Sequence, residues 1–196
     1  YYGCLRGTPF RWLDVSRLAS LLLPRDHRVG RVRYFTARFG QRPGNLDAPT
    51  RQDTYLRALA TIPNLTITFG HFLRSETMMP LAKPLPDGTK YVRVVKTEEK
   101  GSDVNLASHL LLDAFRQDCD AAFVISNDSD LLEPIRIARR EFGLAVGIGC
   151  PHERVSRALL REAGFVRKIR RGPLRASQFP PVLIDAGGRI TKPATW

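Results

Sequence analysis

Apolar positions along the chain follow two periods, one helical and one alternating. Asp14 can cap a helix over VSRLASLLL, which Pro24 ends. A basic loop, RDHRVGR, leads into VRYFTARF, whose β-branched and aromatic residues predict a strand. A Gly/Pro/Asn loop over residues 40–49 precedes a helix from Thr50 to Ala60. LTITFGHF predicts a second strand and YVRVVK a third, with a Pro/Gly-rich loop or hairpin over residues 73–90 between them. The second half alternates more cleanly. A helix from Ser102 or Asp103 to about Gln117 is followed by the strand AAFVIS. A helix from Ser129 to about Phe142 is followed by the strand LAVGIG. A helix over 152–163 and a short strand FVRKI close the series.

Strands alternating with helices of 10–15 residues predict βαβ units. The expected fold class is therefore α/β, with helices on both faces of a mainly parallel sheet. One domain is expected over residues 1–169. Residues 170–196 carry prolines and little periodicity and are expected as an extended C-terminal tail, anchored at Leu174, Phe179, Val182, Ile184, Ile190 and Trp196.

In such sheets, ligands bind at the carboxyl ends of the strands. The strand AAFVIS delivers Ser126, Asn127, Asp128, Ser129 and Asp130 to that edge. Asp128 and Asp130 repel each other unless a cation or capping bonds compensate. A second acid, Asp103, opens the helix after YVRVVK, within EEKGSDVN. Each junction by itself is explained by helix capping. Together they place acids at one edge, where Mg²⁺ or Mn²⁺ takes carboxylate oxygens, activates water and neutralises a phosphodiester.

The stretch VVKTEEKGSDVNLASHLLLDAF, followed by DAAFVISNDSDLLEPIRIARREFG, resembles the NYN domain family of the PIN-like nuclease superfamily. K-G-x-D-V before one helix and S-x-D-S-D after the next strand match over residues 96–150, with weaker similarity over 1–165. The resemblance implies a three-layer α/β/α Rossmann-like sandwich and a metal-dependent (endo)ribonuclease. It implies Asp103, Asp128 and Asp130 as metal-binding and catalytic acids, Ser126 as the small hydroxyl residue before the acid, and products with 5′-phosphate and 3′-hydroxyl ends. Two departures stand out. The family opens with a strand ending D-G-x-N, and this sequence starts at YYG, which resembles the segment just after it. His109 occupies a position where many members have an acid; metal binding, phosphate contact and core packing are all open to it.

Composition adds a partner class. Thirty-one Lys and Arg against 19 Asp and Glu give a net charge of +12. That surplus favours a polyanion, RNA or possibly DNA, though a basic protein from a GC-rich organism shows the same surplus. Lys96, Lys100, Arg38, Asn127, Ser129 and Ser126 are the expected nucleic-acid contacts. Arg31, Arg33 and Arg42 are further candidates, interleaved with Tyr34, Phe35 and Phe39. Cys4, Cys119 and Cys150 form no C-x-x-C, which argues against a structural zinc site and for a reducing, cytoplasmic compartment. No apolar run is long enough to span a bilayer. A homo-oligomer is possible.

Three rivals are weaker. A haloacid-dehalogenase-type phosphatase would carry D-x-D near its start and a later acidic pair. Gly147-Ile-Gly149 lacks the third glycine of a dinucleotide loop. No G-x-S-x-G is present. The rival from another class is an RNA-binding or regulatory module with the same fold that does not cleave. The expected function is hydrolysis of RNA phosphodiesters.

Overall fold

A computed structural model describes residues 2–40 and 44–194, so Arg42 and Trp196 lie outside the described residues. After a 3-10 turn at Tyr2–Leu5, helix α1 spans Val15–Leu22, and Asp14 caps it by accepting from the Arg17 N–H at 2.9 Å. Strand β1 (Val32–Ala37) and helix α2 (Ala48–Ala60) follow. Strand β2 then runs much further than expected, Leu65–Pro80, and β3 spans Tyr91–Lys100. Helix α3 covers Ser102–Arg116. Strand β4 (Ala121–Ile125) leads through a 3-10 turn, Ser129–Leu131, into helix α4 (Leu132–Arg140). Strand β5 (Ala145–Cys150), helix α5 (Arg157–Glu162) and strand β6 (Phe165–Lys168) complete this part.

The single, mainly parallel sheet of a three-layer Rossmann-like sandwich is not what the chain forms. The strands divide into two three-stranded sheets, ordered β1-β2-β3 and β4-β5-β6. The second is wholly parallel. The first is mixed: β2 runs parallel to β1 from Leu65 to Gly70 and antiparallel to β3 from His71 to Pro80. No described ladder joins β1 to β4, because a cavity separates them. The strand reading failed between residues 73 and 90 because the β2–β3 arm is exposed on most of its length. Neither face is buried enough to impose a hydrophobic alternation there.

Gly70 marks the point where β2 changes partner. A Cβ there would lie 2.3 Å from the Lys100 carbonyl oxygen and 3.1 Å from the Ser102 nitrogen. Only a residue without a side chain lets the returning chain turn into α3 at that spot.

Two hydrophobic cores flank the sheets. Trp12, Leu13 and Leu18 pack with Tyr55 and Leu59 of α2 on one side. Leu110, Leu131, Ile135, Val146 and Leu159 pack together on the other.

Residues 170–194 are not a wholly extended arm. They hold helix α6 (Arg171–Ala176) and a hairpin of β7 (Val182–Asp185) and β8 (Gly188–Thr191). Leu174, Phe179 and Ile190 are buried in the first core, while Ile184 is 80% exposed. The Trp12 indole donates to the Pro180 carbonyl at 2.8 Å, and Leu13 and Gln178 form an antiparallel bridge. Arg57 holds Asp185 by hydrogen bonds of 3.1 and 2.7 Å.

Candidate functional site

The acids do share an edge, by an unexpected route. The hairpin returns β3 beside Gly70, at the level of Ala37 on β1. Gly101, at φ 92°, turns the chain there and α3 begins, with Asp103 in its first turn. Helix α3 then runs back along β1. His109 lies beside Phe35, ring centroids 5.6 Å apart, and Asp113 beside Arg33. Asp103 therefore stands at the carboxyl end of β1, although its own strand arrives antiparallel to β2. Strand β4 delivers Asp128 and Asp130 to the same neighbourhood.

The charges register this approach. Partial desolvation, then the carboxylates of Asp128, Glu99 and Asp130, push the Asp103 carboxyl above the usual range for an aspartate. Like charges so placed disfavour ionisation of one another. The Asp128 cap is also real: its carboxylate accepts from the Asp130 N–H at 3.0 Å, and its own N–H donates to the Ser126 hydroxyl at 3.0 Å. Capping satisfies Asp128 and leaves Asp103 without a cation. Ser129 sits exposed in the turn itself and caps nothing.

A divalent cation would relieve that repulsion, and carboxylate oxygens are the ligands Mg²⁺ and Mn²⁺ favour. In kind the donors fit. In number they fall short, because no group of three His, Cys, Asp or Glu among the described residues is arranged to hold a metal ion.

The expected phosphate contacts are mostly engaged elsewhere. Lys96 and Lys100 lie on β3 beside Glu98, at 2.8 and 3.6 Å. The Lys96 hydrogen bond holds the Glu98 carboxyl below its ordinary range. Arg38 pairs with Asp53 and lies 4.7 Å from the centre of the Phe69 ring. Arg31 and Arg33 grip Asp113. Asn127 accepts from the Ser156 N–H at 2.8 Å and from the Cys150 thiol at 3.3 Å, and donates to the Arg154 carbonyl at 3.1 Å. It staples the loop after β5 to the end of β4. Phe39 stacks on Phe72 with centroids 5.5 Å apart, and Tyr34 meets Tyr55 edge-on. His109 packs on Phe35, and its buried Nδ1 has no hydrogen-bond partner among the described residues.

Two features escaped the sequence. Glu99 joins the acids, a role the run EEK could have suggested. The Cys4 thiol lies 3.1 Å from His152 Nε2, a pairing across 148 positions that no local pattern signals.

No family model matches the chain. It is similar to 6-hydroxy-3-succinoylpyridine 3-monooxygenase HspA of Pseudomonas putida (strain DSM 28022 / S16). The two are 29% identical over 224 aligned residues, covering 100% of this chain and 72% of that protein. One relative is thus an enzyme. Among solved structures, a protein of unknown function from Vibrio parahaemolyticus RIMD 2210633 superposes with a TM-score of 0.56 at 14% identity. The match covers 87% of this chain and 86% of that one, and it is a likeness of fold alone. No described helix is long and apolar enough to cross a membrane.

Proposed function

We propose that the protein is a metal-dependent ribonuclease of the NYN type, acting at the edge shared by Asp103, Asp128 and Asp130. The observation that carries this reading is the raised carboxyl of Asp103 among three other carboxylates. A protein with net charge +12 gathers four acids where two chain segments meet. Acids so gathered repel phosphate unless a cation stands between them.

Asp103 and Asp128 are the residues that would hold Mg²⁺ or Mn²⁺, with Asp130 acting through water. The bound ion supplies charge neutralisation and an acidified water. The chain's own contribution is placement. The Asp128 cap fixes its carboxylate against the turn, and the Ser126 hydroxyl fixes the backbone beneath it. Gly70 and Gly101 let Asp103 approach from the hairpin side.

The test is cleavage of a labelled single-stranded RNA with Mg²⁺, with Mn²⁺ and with EDTA, beside Asp103→Asn and Asp128→Asn. Cleavage that needs metal and falls at least a hundredfold in both variants is expected. Full activity in Asp128→Asn removes the site. RNA binding that weakens with salt, without cleavage, replaces the nuclease by a binding module.

A second reading has one observation behind it: the relative named as a monooxygenase aligns with the whole of this chain. Under it, the acidic edge would serve a small aromatic acid. Turnover of 6-hydroxy-3-succinoylpyridine in a parallel assay, with RNA left intact, would select it.

A further inference from the structure

The two sheets face each other across a cavity of about 1490 Å³, which every residue of β1 and every residue of β4 line. It is larger than the ~300–1,000 Å³ of ordinary small-molecule sites. Its shape follows from its walls. β1 is bonded to β2 on its other side and β4 to β5, so each presents an open backbone edge to the cavity. Unpaired backbone N–H and C=O groups shielded from water are costly, and an open strand edge is a template for another strand.

The remaining two walls are apolar. Val15, Tyr55 and Leu56 close one face, and Leu106 and Leu110 of α3 close the other. β1 and β4 point the same way, since both end at the edge where Asp103 and Ser126 lie. An occupant bonded to both edges must therefore be an extended peptide.

We propose that this slot receives a β-strand of five or six residues, apolar on both faces and parallel to β1 and β4, supplied by the polypeptide segment directly preceding Tyr1. A strand buried on both faces is a near-continuous apolar run. The source follows from where the described chain starts. Cys4 lies on His152, just past the carboxyl end of β5, and Gly3 and Arg6 line the same cavity. A segment that leaves the slot at its carboxyl end is delivered to Gly3 directly. This inference rests on the backbone edges and is independent of the nuclease reading.

Hydrogen exchange tests it on two proteins: residues 1–196, and the chain produced from the native gene with its upstream coding sequence. The expected result is protection of the amides of 32–37 and 121–125 that rises at least a hundredfold in the native chain. A proline at the centre of the upstream strand should abolish that rise, because it removes a ladder donor. Failure of residues 1–196 to fold, while the native chain folds with those amides among its slowest, also supports the proposal. Equal protection in both proteins overturns it. So does protection that appears in residues 1–196 only on dimerisation, which assigns the slot to a second copy. An intact mass showing that the native chain begins at Tyr1 overturns it as well.

Discussion

Arg33 holds Asp113 through two hydrogen bonds, 2.8 Å from Nε and 2.6 Å from Nη2, and so fastens β1 to the middle of α3. Both side chains are largely covered, at 22% and 16% exposure, so water screens the pair little. Desolvation alone would raise the Asp113 carboxyl. The Arg33 hydrogen bond, then the charges of Arg33 and Arg31, outweigh it and leave the group below its ordinary 3.8.

The pH dependence follows. The unfolded chain binds the Asp113 proton more readily than the folded one, so this pair stabilises fully above pH 3.8. Its contribution is lost as the pH falls from there through the lower folded value. Asp113→Asn should cost about 2 kcal/mol at neutral pH, and its cost should shrink as the pH falls through that window. Urea melts of both proteins at several pH values check this.

Asp103 has the opposite sign. Its folded carboxyl is raised, so ionising it opposes folding, and that penalty fades as the pH falls through the folded value. Asp128→Asn removes the largest charge acting on it and should move the Asp103 titration back toward the ordinary range. Carbon-13 NMR titration of the aspartate carboxyls reads this directly. An unmoved Asp103 would separate the two acids.

Gly70→Ala places a methyl group against the Lys100 carbonyl, which is backbone and cannot swing away. The expected cost is about 3 kcal/mol, a fall in Tm of roughly 10 °C for a chain of this size. Gly30→Ala, whose Cβ would meet nothing within 4 Å, is the control. Calorimetry of the pair should separate them cleanly.

Asn127→Ala should loosen the loop after β5 and leave the Asp128 cap in place, since the cap uses neither Asn127 oxygen nor nitrogen. A loss of about 1–2 kcal/mol is expected, with faster amide exchange confined to residues 154–156. Unchanged exchange there would mean that the loop holds itself.

What the sequence revealed and what it hid divide along physical lines. Asp14 was legible because a cap acts on its own turn. Strand β4 was legible because Ala121–Ile125 is a short apolar run ending abruptly in polar residues. The helix expected from Ser129 begins as a 3-10 turn, since the Asp128 cap bonds at Asp130 and tightens the first residues. Division into two sheets was invisible, because pairing depends on which edges meet in space. The expected phosphate contacts were read as free cations for a similar reason: Arg33 finds Asp113 across 80 positions. The two acidic junctions were read from local order alone, and the structure brings their charges within reach of one another.

The bond from Trp12 to Pro180 has a consequence in time. These residues are 168 positions apart, and the indole, fully buried, belongs to the first core. At ~5–20 residues per second on the ribosome, roughly ten to thirty seconds separate the synthesis of Trp12 from that of its acceptor. Throughout that interval α1 and α2 are complete and the face they share with Phe179 and Ile190 is bare. The chain is made from one end and its first core is closed from the other. The early helices must wait, exposed, for the last hairpin.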